Sequence, residues 1–219
     1  MSKLVIFGAG DIARLAHRYF TRDAGREVVA FTVDREYRRE ESFEGVPIVD
    51  FEEIVRRHPP SECDLFVALS YRQMNRTRAE KYDAAKRLGY RLASYVSSRC
   101  TFLTDTPVGE NCFILEDNTI QPFVTIGHDV TLWSGNHIGH DSVIEDHCFI
   151  SSHVVVSGHV RVGAFSFIGV NATLRNSITI APRTLIGAGA AILQDTVADG
   201  VYLSQRARLS DRKSHEIEL

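Results

Sequence analysis

From Val108 to Ile192 an aliphatic residue returns at every sixth position without a phase slip: Val108, Ile114, Ile120, Ile126, Leu132, Ile138, Ile144, Ile150, Val156, Val162, Ile168, Leu174, Ile180, Ile186 and Ile192. A period of six fits neither an α-helix at 3.6 nor a lone strand at two, and an internal repeat sustained this long predicts a parallel β-helix. The position four further on is mostly small or β-branched (Cys112, Val124, Val130, Ser142, Cys148, Val154, Val160, Ala172, Thr184, Ala190), so each hexad offers two inward side chains. Three hexads make one triangular coil, and residues eighteen apart stack on adjacent coils at the spacing of neighbouring strands, roughly 4.8 Å.

The first 96 residues carry a different pattern. Leu4-Val5-Ile6-Phe7 is a continuous apolar run of the kind a buried parallel strand needs, and an amphipathic helix follows through Tyr19 and Phe20. Glu27 to Val33 reads as a second strand; Asp50 to Arg57, Asp64 to Leu69, Asn75 to Leu88 and Tyr90 to Val96 read as helix, strand, helix and strand. The alternation predicts a small Rossmann-like βαβ domain with a parallel sheet. Ser97 to Pro107 has the polar, turn-forming composition of an entry into the repeat, which places the division near Ser98: residues 1–97 as one domain and 98–219 as the β-helix with a C-terminal tail.

Composition narrows the functional classes. Lys plus Arg number 25 against 28 Asp plus Glu, a net charge of -3 with no basic run, which gives no reason to expect nucleic acid or an anionic membrane as partner. The N-terminal apolar run is too short, and too soon interrupted by glycine, for a signal peptide or a membrane span, so a cytoplasmic protein is expected. Cys63, Cys100, Cys112 and Cys148 have no CxxC spacing and read as reduced core thiols, neither bridges nor metal ligands.

Gly8-x-Gly10-x-x-Ala13 follows a strand and opens a helix, where glycines permit a tight turn and bring backbone N–H groups up to a phosphate. Asp34 ends the second strand, placed to accept hydrogen bonds from a ribose or a base. Asp11 is acidic where a diphosphate would lie, which leaves a sugar hydroxyl or amine as its alternative partner. The fingerprint reports diphosphate and ribose and is silent on hydride chemistry. NAD(H), another nucleotide and a turn that binds nothing all remain open on these residues alone.

Six of the nine histidines fall between residues 128 and 159: His128, His137, His140, His147, His153 and His159. His147, His153 and His159 share one hexad position at intervals of six, which puts them on three different sides of the prism, so no metal centre is expected of them within one chain. The stacking rule sets His128 against Asp146, Asp129 against His147, and Asp141 against His159, a polar ladder. His140 differs, with Pro122 below it, Gly158 above it and Asp141 next in sequence. A base, an orienting carboxylate and an open backbone N–H come together there, a combination suited to general-base catalysis with oxyanion stabilisation.

These residues resemble the sugar acyltransferases of the sialic acid O-acetyltransferase (NeuD) and UDP-4-amino-sugar N-acetyltransferase (PglD) group, over nearly the whole chain from Gly8 to Tyr202. Ile138-Gly139-His140-Asp141 is similar to that group's His-Glu/Asp motif. The resemblance implies a nucleotide-sugar-binding domain joined to a left-handed β-helix, with acetyl-CoA as cosubstrate lying between subunits of a homotrimer and no metal. By the same resemblance His140 and Asp141 are the base pair, and Gly158 meets the thioester carbonyl. Val170, Ala188 and Gly189 flank the CoA arm, while Gly8, Gly10, Asp11 and Asp34 hold the sugar nucleotide. The implied activity is N-acetylation of a UDP-, dTDP- or GDP-linked amino-deoxy sugar. O-acetylation of a sugar and a non-catalytic trimeric sugar-nucleotide-binding protein stand as alternatives.

Two segments depart from the group's pattern. Tyr202-Leu203-Ser204-Gln205-Arg206-Ala207-Arg208 has Ser and Arg where the group has Gly and Pro, and Ser70-Tyr71-Arg72-Gln73-Met74-Asn75 replaces a Gly-Asn or Gly-Asp loop.

Overall fold

The computed structural model describes residues 3–205, 207 and 210–217; Arg206 and Arg208 lie outside the described residues. The N-terminal part is a five-stranded sheet in the order β3-β4-β2-β1-β5, where β1 is Lys3–Phe7, β2 Val28–Val33, β3 Ser42–Phe43, β4 Val46–Asp50 and β5 Cys63–Val67. All neighbours are parallel except the β3–β4 hairpin. Helix α1 (Asp11–Arg22) packs Ala13, Ala16 and Phe20 onto one side of the sheet. The short α2 (Ile54–Arg57) and α3 (Arg76–Arg87) flank the other, around Val5, Leu65, Val67 and Tyr90.

Three details differ from the sequence expectation. The β3–β4 hairpin has no counterpart in it; the hairpin turns at Glu44 and Gly45, both at positive φ (49° and 77°), a two-residue turn whose signal is the Glu-Gly pair. The expected helix from Asp50 to Arg57 begins instead with the last residue of β4 and a 3-10 turn at Phe51–Glu53. The expected strand Tyr90–Val96 is divided: Leu92 bridges Leu65 in the N-terminal sheet, whereas Tyr95–Val96 pairs with Phe113–Ile114 as the first rung of the next structure.

That structure is a triangular parallel β-helix. Its two-residue strands stack into three sheets of four, seven and six strands, with partners eighteen residues on (Thr125 against Val143, Thr131 against Phe149, His137 against Val155) except at the last rung, where Leu185 meets Val201 sixteen residues on. The aliphatic column from Ile114 to Ile192 is buried, and so is the small inward column. Asn118 and Asn136 interrupt the second column without leaving polar groups unmet. The Asn118 amide donates to the carbonyls of Leu115 and Trp133, and the Oδ1 atoms of Asn118 and Asn136 accept the backbone N–H groups of Asn136 and Val154.

At each vertex one residue takes φ near +60°, giving a series of period six through Asn111, Asp117, Phe123, Asp129, Gly135, Asp141, His147, His153, His159, Phe165, Asn171, Ser177, Arg183 and Gly189. Only glycine, asparagine and aspartate enter that region readily. The N–H groups of His147, His153, His159, Phe165 and Arg183 each donate to a carbonyl of the preceding coil, which holds these residues in it.

The two parts share an interface. Phe113, Leu115 and Tyr95 of the seven-stranded face join Phe20 and Phe66 in one apolar cluster. Beside it the Arg78 guanidinium, 2 % exposed, donates from Nε to Asp129 Oδ1 at 3.0 Å and from Nη2 to the carbonyls of Asp129 and Cys148. Asp129, fully buried, also accepts from the Asn111 amide and pairs with His147 Nδ1. The N-terminal domain therefore covers one face of the prism, and the vertex formed by residues 121–124, 139–142 and 157–160 is the one opposite. No helix among the described residues is long and apolar enough to cross a membrane.

Candidate active site

His140 stands on that opposite vertex. Ile138 buries its side chain in the prism core and Gly139 follows; a Cβ on Gly139 would lie 2.5 Å from the Ser157 carbonyl carbon and 2.6 Å from the Gly158 nitrogen, so only glycine lets the next coil pass. The His140 N–H is fixed by Gln121 Oε1 at 2.9 Å. Asp141 occupies the left-handed position of the vertex (φ 58°), which turns its carboxylate back onto its neighbour, and Oδ2 lies 2.8 Å from His140 Nδ1. Because the carboxylate accepts, Nδ1 carries the proton of the neutral ring and Nε2 holds the lone pair.

Gly158 lies directly beyond. A Cβ there would stand 2.7 Å from His140 Nε2, so the imidazole rests where any other residue would place its side chain. Among the described residues no protein acceptor meets the Gly158 N–H. With His140 about half exposed, the vertex presents an oriented base to solvent beside the Gly158 backbone.

His159 belongs to this cluster too. It stacks on Asp141 as the eighteen-residue rule requires, with Nε2 3.9 Å from Asp141 Oδ2, and its ring meets that of His140 edge to face at 5.0 Å between centroids. The contact with His140 is absent from the sequence reading because it joins positions nineteen apart, one off the stacking column. His140, Asp141 and His159 bring their ligand atoms within 4.8 Å of one another, a set able to hold a divalent ion, though binding there would occupy the base.

Of the other residues singled out in the sequence, Val170, Ala188 and Gly189 lie on the next vertex, at the far edge of the face that ends at His140. Gly189 N–H donates to the Val170 carbonyl at 2.8 Å, and Ala188 receives Ser204 Oγ on its carbonyl at 2.7 Å. One chain thus brings together His140, Asp141 and Gly158 and holds the other three a face-width away.

Gly8 and Asp34 line a cleft of about 310 Å³ across the carboxyl ends of β2, β1 and β5, with Phe7, Ala9, Tyr37, Leu69, Ser70, Arg72, Thr77 and Lys81. Gly8 is required twice over: φ is +120°, and a Cβ would meet the Ala68 carbonyl oxygen at 2.8 Å. Asp34 Oδ1 pairs with Lys81 Nζ at 2.6 Å. Gly10 and Asp11 are not among the lining residues. Gly10 caps α1 with open space around it, and Asp11, almost fully exposed, is drawn onto Arg14 at 2.7 Å.

The cysteines lie away from both sites and form no disulfide. Burial pushes the Cys112 and Cys148 thiols up to about 12, as expected of apolar core groups.

The six-repeat bacterial transferase hexapeptide model matches residues 124–158, which include the His140–Asp141 pair and Gly158. A curated relative, the acyl-[acyl-carrier-protein]–UDP-N-acetylglucosamine O-acyltransferase of Burkholderia lata, is 30% identical over 91 residues, 36% of this chain; the chain spans about a third (35%) of that relative's length. Among solved structures, the acetyltransferase domain of PglB from Neisseria gonorrhoeae has a TM-score of 0.81 at 21% identity, covering 93% of this chain and 97% of that one. A mutant perosamine N-acetyltransferase from Caulobacter crescentus, in complex with CoA and GDP-perosamine, has a TM-score of 0.81 at 23% identity (93% and 94%). WeeI from Acinetobacter baumannii has 0.80 at 16% identity (95% and 99%). The chain thus shares the fold of a small α/β domain on a left-handed, hexapeptide-repeat β-helix over nearly its whole length.

Gly158→Ala is a specific probe of the vertex. The three atoms nearest its new methyl group all belong to the movable His140 imidazole, so the variant should fold and melt within a degree or two of wild type. The imidazole must swing off Asp141, and turnover should fall by about tenfold or more. A variant with unchanged turnover would show that the contact between ring and glycine is irrelevant.

Proposed function

We propose that this chain is an acetyl-CoA-dependent N-acetyltransferase acting on the amino group of a nucleotide-linked amino sugar. The observation that carries the reading is the 2.8 Å pairing of His140 Nδ1 with Asp141, which leaves Nε2 as a base beside the free N–H of Gly158. The amine attacks the thioester carbonyl carbon as Nε2 takes its proton, and a C–N bond forms. The Gly158 N–H stabilises the tetrahedral oxyanion. Collapse breaks the C–S bond, and the departing thiolate recovers the proton from the imidazolium. Asp141 holds the tautomer and balances the ring charge throughout. Protein groups alone supply these steps.

The acceptor is bound through the cleft at Gly8 and Asp34, which sits at the carboxyl ends of strands where open α/β sheets take nucleotides. The residues that line the cleft all belong to the N-terminal part, which covers one face of the prism, whereas His140 is on the opposite vertex. A second copy must therefore present its cleft to the dyad, and the same copy-to-copy groove, with Val170, Ala188 and Gly189 on its wall, accommodates the extended coenzyme. A homotrimer about the prism direction meets both demands. The fold shared with a perosamine N-acetyltransferase holding CoA and GDP-perosamine supports this choice of donor and acceptor class.

The test is release of free thiol from acetyl-CoA in the presence of UDP-, dTDP- and GDP-linked amino sugars. One of the amines should give turnover with an amide product. Turnover only with a hydroxyl in place of the amine would make the enzyme an O-acetyltransferase, and no turnover with any acceptor would leave a binding protein.

A further inference from the structure

We propose that Arg72 is the residue that recognises the diphosphate of the acceptor, an inference that rests on the cleft being the acceptor site. The charged groups lining the cleft are Asp34, Lys81 and Arg72. Asp34 and Lys81 are paired with each other at 2.6 Å and cancel. Arg72, exposed at the β5 edge, donates to no protein acceptor among the described residues, so the lining carries one uncompensated positive charge. Asp11, the carboxylate that would oppose an anion, is not among the lining residues and is paired with Arg14.

The layout gives that charge a place along the ligand. Across the carboxyl ends the order is β2, β1, β5. A nucleoside whose ribose is held at the β2 end by Asp34 lays its diphosphate over the Gly8–Ala9 turn and reaches the β5 edge, where Arg72 stands. A planar guanidinium grips phosphate oxygens in pairs, which suits a diphosphate better than it suits a neutral sugar.

The loop that carries Arg72 is built to hold it still. Tyr71, immediately before it, packs on Phe149 and Phe167 of the β-helix, with ring centroids 5.0 and 4.8 Å away. After it, Gln73, Met74 and Asn75 all adopt left-handed backbone (φ 51°, 52° and 66°). A run of three such residues without a glycine persists only where its surroundings impose it. Here the buried Asn75 amide donates to the Phe165 and Ser166 carbonyls, 3.4 and 3.3 Å away. Arg72 therefore projects from between two anchors on the β-helix, and the part of the chain that bears the dyad also sets where the phosphate contact stands.

The experiment is calorimetric titration of the full-length protein with nucleoside, monophosphate and diphosphate in the uridine, guanosine and thymidine series. In the wild type one base should show a diphosphate at least about tenfold tighter than its nucleoside, the scale of a charge-assisted contact. Arg72→Ala should erase that preference with nucleoside binding unchanged, and Arg72→Lys should keep part of it. Arg72→Gln, melting as the wild type does, guards against a folding artefact. A preference that survives in Arg72→Ala and Arg72→Gln, or a wild type that binds none of the diphosphates, overturns the assignment. Thiol release assayed on the same samples separates the two readings. An Arg72-dependent diphosphate preference without acetyl transfer to any acceptor refutes the transferase reading alone, and acetyl transfer with no such preference refutes the role of Arg72 alone.

Discussion

Replacing His140 with alanine is expected to lower kcat by two or more orders of magnitude, the usual loss when a general base is removed. The chain should otherwise be unaffected. His140 is half exposed, its side-chain partner is the half-exposed Asp141, and its backbone N–H bond to Gln121 does not depend on the imidazole. Melting temperature and coenzyme A affinity, measured beside the steady-state rate, should match wild type. Asp141→Asn should fall between the two, because an amide can still occupy the site but cannot balance an imidazolium. Full activity in His140→Ala would remove the base from the mechanism.

The largest expected effect on stability lies on the far side of the prism. Arg78→Met leaves the Asp129 carboxylate, which is fully buried, without its cation. Removing one partner of a buried pair costs roughly 3–5 kcal/mol because the remaining charge stays desolvated. For a chain of this size that corresponds to a fall of about 10 °C in melting temperature. Arg78→Lys should recover little, since one ammonium cannot reproduce donation from Nε to the carboxylate together with donation from Nη2 to two carbonyls. Differential scanning calorimetry reads the effect directly, and a shift of under 2 °C for Arg78→Met would mean that this network does not bind the two parts together.

The rungs and the polar pairs stacked between them were legible in the sequence for one reason. A β-helix converts sequence spacing into spatial position, so a stride of six marks the core and a stride of eighteen marks vertical neighbours. The pairs His128–Asp146, Asp129–His147 and Asp141–His159 all follow from that arithmetic. Where neighbours are set by side-chain reach across columns, as for His159 and His140, the arithmetic fails.

The N-terminal domain was less transparent. Its buried strands Lys3–Phe7, Val28–Val33 and Cys63–Val67 announce themselves as apolar runs, but the β3–β4 hairpin is half exposed and turns on two residues. The interface network was invisible because it joins Arg78, on a helix, to Asp129, fifty-one residues further on, and no periodicity relates the two. The same holds for the Ser70–Asn75 loop. Its sequence shows a departure from the related group, whereas the anchoring of Tyr71 and Asn75 on the β-helix appears only in three dimensions.

The central claim is that an acceptor held in the cleft of one copy is acetylated at the His140 vertex of another. It is tested most directly in mixed oligomers, co-expressed with two different tags and purified through both, in which one copy carries His140→Ala and the other Ser70→Trp, a side chain large enough to fill the cleft. Each variant alone should be inactive, and the doubly purified mixture should regain a measurable fraction of wild-type turnover, because some of its interfaces join an intact cleft to an intact dyad. A mixture as inactive as its parents, or a failure of the two variants to assemble at all, would contradict the account.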